Sequence, residues 1–178
     1  GESSPRWSPD SSQIAFLTER DDDEQNQIYL ISPQGGEAQV LSELESSPSN
    51  ISWSADGEKI YFLADIPDTE EEKKKDKLKD DVFSFDNDWK HRHLWSVAIE
   101  DGTVEQITDG DFSINSYSLS RDGKQIVLGR APSPLLNDSF DSEIFLLTLE
   151  QNSWRQLTDN NEREGGAELS PDGSSILF

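Results

Sequence analysis

The chain has 178 residues, enough for one well-buried domain, and carries a formal net charge of −22 with an isoelectric point near 4.2. Such a polyanion repels phosphate backbones and anionic headgroups, so neither nucleic acid nor a membrane surface is expected as a partner. Cysteine is absent, which removes disulfides, thiolate nucleophiles and cysteine metal ligands, and no window approaches the ~18 consecutive apolar residues of a membrane span.

The first predicted element is a hairpin, Trp7-Ser8-Pro9-Asp10-Ser11-Ser12-Gln13-Ile14-Ala15-Phe16. Proline presets φ at the first turn position and the aspartate carboxylate accepts nearby backbone N–H groups. The apolar-x-apolar exit has the period of a strand with one buried face. The pattern returns at Trp53 to Phe62, Leu119 to Leu128 and Leu169 to Phe178, with glycine (Gly57, Gly123, Gly173) where the first copy has Ser11. Ser11, and Ala55 and Arg121 in place of proline, are expected to weaken individual turns without breaking the repeat.

Counted from the lead-in residue, the copies are 46, 66 and 50 residues apart, close to the roughly 40–45 of a four-stranded propeller blade apart from one long interval. Each interval also holds a second strand pair: Ile28 to Ile31, Leu94 to Ile99 and Ile144 to Leu149, each followed by a turn and a short strand (Ala38 to Leu41, Val104 to Thr108, Trp154 to Thr158). The fold class is therefore all-β, a β-propeller fragment. Blades span about 5–42, 49–108 and 114–158, with half a blade at 166–178 and a charged insertion, 65–81, within blade two. Both ends stand in the same phase, so the first hairpin cannot complete the last blade, and the chain is expected to be a piece of a longer protein.

In blade one, Asp21-Asp22-Asp23-Glu24 presents carboxylates that a cation-dependent module would use. Four acids in a row are more often a solvated loop tip, and no metal or other cofactor is expected. The run from Asp65 to Arg92 is charged but nearly balanced, ten acids against seven bases, so the acidity belongs to the propeller body. Its stretch 68–81 suits a short exposed helix or a loop; after it, Val82 to Trp95 alternates aromatic and polar residues as added strands do. His91 and His93 share one strand face near Asp86 and Asp88, yet no further ligands recur at a zinc spacing. A calcium loop starting at Asp86 fails, having His91 at its glycine position and Val97 at its final acid. In blade three, Pro132 and Pro134 forbid a regular ladder and mark a loop across a blade end. Trp89, Arg92 and Arg130 are the candidate substrate-binding residues. The sequence contains no Gly-x-Ser-x-Gly, no His-Glu-x-x-His, no phosphate loop and no dinucleotide fingerprint, so no catalytic residue is expected in this chain.

The four hairpins resemble the WD40-like repeats of TolB-type propellers and of serine peptidases of the prolyl oligopeptidase family. The segments Asp81 to Trp95, Gln106 to Phe112 and Gly129 to Leu136 are similar to acylaminoacyl-peptidase-like and dipeptidyl-peptidase-like members. The resemblance implies an N-terminal propeller that restricts peptide access to a C-terminal α/β-hydrolase domain carrying the catalytic serine, aspartate and histidine. That domain and the remaining blades would be this chain's partners, with peptide as substrate; the alternative is a non-enzymatic TolB-like propeller that binds proteins.

Overall fold

The computed structural model describes residues 1–20, 25–77, 89–160, 162 and 164–178. These form three four-stranded antiparallel sheets and one two-stranded sheet, each with its strands in chain order. The first holds β1 (Ser3–Trp7), β2 (Ile14–Thr18), β3 (Gln27–Ile31) and β4 (Gln39–Ser42). The second holds β5 (Ser49–Trp53), β6 (Lys59–Asp65), β7 (Arg92–Ala98) and β8 (Val104–Gln106), and the third β9 (Ser113–Leu119), β10 (Gln125–Ala131), β11 (Glu143–Thr148) and β12 (Ser153–Gln156). The pair β13 (Glu168–Leu169) and β14 (Ile176–Leu177) follows. This is the expected all-β propeller section. First strands meet one another, β1 against β5 and β9 against β13, while the fourth strands β4, β8 and β12 are largely exposed.

One turn is built four times from the same bonds. The Ser8 hydroxyl donates to Asp10 Oδ1 at 2.7 Å and accepts the Gln13 N–H at 2.9 Å. Ser54 repeats this with Asp56 and the Lys59 N–H, Ser120 with Asp122 and the Gln125 N–H, and Ser170 with Asp172 and the Ser175 N–H. The carboxylate also accepts a backbone N–H two residues on, at 3.0–3.1 Å in every copy. These donors, the serine hydroxyl foremost, hold the Asp10 and Asp172 carboxyls at about 2 and the Asp56 and Asp122 carboxyls below the usual range. Ser11 adopts φ 61°, matching Gly57, Gly123 and Gly173 at 69–75°, so the first turn keeps its bonds and pays in backbone strain instead.

The blades join through the middle strands, whose alternate residues feed two cores. Ile60, Phe62 and Ala64 of β6 pack with Ala15, Leu17, Ile28 and Ile51. Tyr61 and Leu63 of the same strand pack with Leu94, Ile114, Ile126 and Leu128 of the next seam. Val127, Ile144 and Leu146 then meet Ala167, Leu169 and Ile176. Side-chain hydrogen bonds between blades reinforce the seams: Trp53 Nε1 donates to the Arg6 carbonyl at 3.0 Å, and the Tyr117 hydroxyl lies 2.6 Å from the Asn50 carbonyl and 2.9 Å from that of Tyr61.

In the insertion, α1 (Glu70–Lys77) forms behind a capping box: the Thr69 N–H donates to Glu72 Oε2 and the Glu72 N–H to Thr69 Oγ1. Lys73 pairs with Glu45, and Lys90 with Asp68 and Glu72, tying the helix to the blade. β8 and β12 stop two residues short of their expected ends. There Thr108 and Thr158 turn their hydroxyls inward to accept the N–H groups of Leu94 and Ile144.

The turn chemistry sets two expectations, read by urea unfolding. Ser120→Ala removes one donor and one acceptor at a buried position and is expected to cost about 1–2 kcal/mol. Ser11→Gly relieves the left-handed strain and is expected to raise stability by about 0.5–1 kcal/mol, glycine's own entropy taking back part of the gain.

Candidate functional site

Strand directions sort the connections. All four Ser-x-Asp turns lie at one end of the blades, so the second-to-third-strand loops and the links between blades lie at the other. That loop end carries the insertion, and at its seam between the second and third sheets the chemistry-bearing side chains gather.

Trp89 meets the His91 ring edge-on at 4.8 Å, His91 and His93 lie 6.2 Å apart, and His93 meets Phe112 edge-on at 5.3 Å. Phe112 continues to Trp154 at 5.8 Å and Trp154 to Phe145 at 6.2 Å. The Arg130 guanidinium sits 3.9 Å from the Phe112 ring centre and 5.0 Å from that of Phe145, a cation–π clamp. A register shift in the β9–β10 pair falls at Gly129/Arg130, re-aiming Arg130 as bulges do. A Cβ at Gly129 would stand 2.7 Å from Ser116 Oγ, so a side chain there would push that hydroxyl aside.

His91 Nδ1 lies 3.0 Å from Ser113 Oγ and its Nε2 2.9 Å from Asp111 Oδ1. Serine, histidine and aspartate are thus connected, but the accessibility is inverted. Ser113 is fully buried while Asp111 is fully exposed, so no substrate carbonyl can reach the hydroxyl. The set acts as a latch from the start of β7 to the start of β9. His93 is fully buried, with Nδ1 3.1 Å from Thr108 Oγ1 and Nε2 without a partner. Burial, with His91 adding to it, pushes its pKa down, against a weaker upward pull from the Gly110 backbone.

Glu143, facing Arg130 across the ladder, accepts the Asn160 N–H at 2.8 Å through Oε1, and Glu164 accepts the Asn160 Nδ2 at 2.6 Å. The second oxygen of each carboxylate is buried and unpaired. With His93 Nε2, these are the buried side-chain atoms left without a partner among the described residues, and all lie at the loop end.

Of the sequence candidates, Trp89 starts the aromatic chain and Arg130 sits on Phe112 in its middle and Phe145 at its far end, while Arg92 Nε is engaged by Asp65 at 3.1 Å. Asp21 to Glu24, Asp86 and Asp88 lie outside the described residues, as does most of the Asp81 to Trp95 resemblance. Among the described residues, no three His, Asp or Glu side chains converge as a metal site would need. Phe112, Glu143 and Asn160 were not singled out from sequence; only the Arg130 to Glu143 pairing across the hairpin would have flagged one of them. A cavity of about 290 Å³ at the neighbouring seam, lined by Leu44, Phe62, Trp95 and Val104 among others, includes none of the candidates.

No protein-family model matches the chain. It is 27% identical over 174 residues to an uncharacterized peptidase, YuxL, of Bacillus subtilis, a match covering 98% of this chain and 21% of that protein. The chain thus spans about one fifth of this curated relative. Its structure superposes on TolB from Acinetobacter baumannii with a TM-score of 0.65 at 19% identity, covering 99% of this chain and 37% of the other. Against the acylaminoacyl peptidase of Pyrococcus horikoshii the TM-score is 0.59 at 19% identity, covering 91% and 25%. The fold is a propeller section of the kind these proteins share, and peptidases are among its sequence relatives.

Because burial depresses the His93 pKa, the unfolded chain binds more protons than the folded one below about pH 6.5, and stability falls as pH drops from there toward the folded value. His93→Phe keeps the ring and removes the titration. In urea unfolding at stepped pH, the variant is expected to lack that part of the slope; parallel profiles would clear His93 of the effect.

Proposed function

We propose that this chain is the non-catalytic propeller section of a serine peptidase and that it governs which peptides reach a hydrolase domain on the same polypeptide. The similarity to YuxL along 98% of the chain is the observation that carries this, and the propeller likeness to an acylaminoacyl peptidase is in keeping with it. Among the described residues, the serine bonded to a histidine, Ser113, is buried, which is in keeping with a nucleophile supplied from elsewhere.

The loop end is the face assigned to passing peptides. It carries the insertion, the aromatic chain from Trp89 to Trp154, and the clamped guanidinium of Arg130. Arg92, engaged with Asp65, contributes a bridge across the blade and not a free charge. Likeness to TolB over 99% of the chain supports a second assignment, a protein-binding propeller without a hydrolase.

The two diverge in the reading frame that encodes the chain. The peptidase proposal expects it to continue through further blades into a domain with a Gly-x-Ser-x-Gly elbow, and expects the 178-residue chain alone to leave fluorogenic peptides uncleaved. A frame that stops after a few more blades, with no such domain, overturns it in favour of the TolB-like alternative.

A further inference from the structure

We infer that the cavity between the first and second blades binds a small primary amine with an apolar tail, the tail entering the seam and the ammonium held at the mouth by Glu43. The cavity measures about 290 Å³, at the small end of the range for small-molecule sites. Its floor is made by the buried side chains of Leu44, Phe62 and Ala64, and one wall by the half-buried indole of Trp95. Carboxylates line it from Glu43 and Glu45, in the link between the blades, and from Asp65 at the end of β6. Glu43 and Glu45 are exposed, which puts their charge at the mouth and leaves the interior apolar. The polar capacity left over is of one kind. Trp95 carries the one side-chain N–H among the described lining residues, and it is spent on the Ala64 carbonyl at 3.1 Å. The Leu44 N–H donates to Gln27 Oε1, and its carbonyl accepts the side-chain amides of Gln25 and Gln27. Two of the three carboxylates already hold cations of the chain: Glu45 the Lys73 ammonium at 3.0 Å and Asp65 the Arg92 guanidinium at 3.1 Å. Glu43 makes no hydrogen bond or ion pair with a described residue. An ammonium brings three donors and needs no donor in return, so it matches a mouth that offers a free carboxylate. An anion of the same shape meets that carboxylate and a chain of net charge −22.

The test uses the 178-residue chain and n-hexylamine at neutral pH, followed by NMR through the backbone amides of Glu43 to Ser46 and the Trp95 indole N–H. Hexan-1-ol, with the same tail and no charge, and hexanoate, with the opposite charge, are the comparisons. Hexylamine is expected to shift these signals saturably at millimolar concentration and to bind about fivefold more tightly than hexanol, the scale of an exposed ion pair, while hexanoate leaves them unmoved. Glu43→Gln keeps the size of an exposed side chain that bonds to no described residue. It is expected to bring the amine down to the affinity of the alcohol and to leave the alcohol unchanged. Equal binding of amine and alcohol by wild type, or an amine affinity that E43Q does not lower, would overturn the ammonium assignment in favour of a plain apolar seam. Shifts spread over the Asp10, Asp56, Asp122 and Asp172 turns instead of these residues, or no shift at all, would overturn the site. The inference stands apart from the peptidase proposal, and none of these results touches the reading-frame test.

Discussion

A serine hydroxyl that gives its proton to a carboxylate two residues on and receives an amide from the returning strand is the bond set on which this structure depends. With the aspartate bonding the N–H two residues ahead, it leaves the four-residue reversal one way to close and so fixes which residue of the second strand faces which residue of the first. Trp7 opposes Ile14, Trp53 opposes Ile60, and Leu119 opposes Ile126. Once that register is set, the side-chain alternation of the middle strands follows, and with it which residues enter which seam. The same network absorbs the loss of glycine at Ser11 and of proline at Ala55 and Arg121, because none of its bonds runs through those side chains.

The two ends of the blades have different tasks. At the turn end, polar groups are paired within a few residues of one another, and each copy repeats its neighbours. At the loop end the repeat dissolves: one connection becomes an insertion with a capped helix, another a proline-rich loop. The buried polar atoms without partners, His93 Nε2, Glu143 Oε2 and Glu164 Oε2, collect there. Unpaired buried groups lower stability, and among the described residues these three gather at the loop end instead of being spread through the blades.

The fold was legible because its information is local. Ser-x-Asp-Gly, with an apolar lead-in and exit, specifies a hairpin without reference to the rest of the chain, and its recurrence specifies stacking. The site was legible only in part. Trp89 and Arg130 drew notice as an aromatic and a cation in blade-end segments, but what makes Arg130 distinctive is held by residues far away in sequence, Phe112 and Phe145, and by a bulge that no periodicity announces. Ser113 and Asp111 escaped for the same reason: they meet His91 across strands from about twenty residues away. The Thr69-x-x-Glu72 box was present in the sequence and would have decided between helix and loop in the insertion. The inward turn of Thr108 and Thr158 could have been read from the repeated Gln-x-Thr-Asp, which signals where a fourth strand stops.

Because β6 supplies Ile60, Phe62 and Ala64 to one seam and Tyr61 and Leu63 to the next, sliding it by a single position would drive the Tyr61 phenol into an aliphatic core and withdraw Phe62 from it, spoiling both neighbours at once. An open sheet with one wet face would forgive half of that error. Here each blade proofreads the alignment of the two beside it, so mispaired forms are penalised twice over and ordered blades are expected to appear as neighbouring groups, not singly.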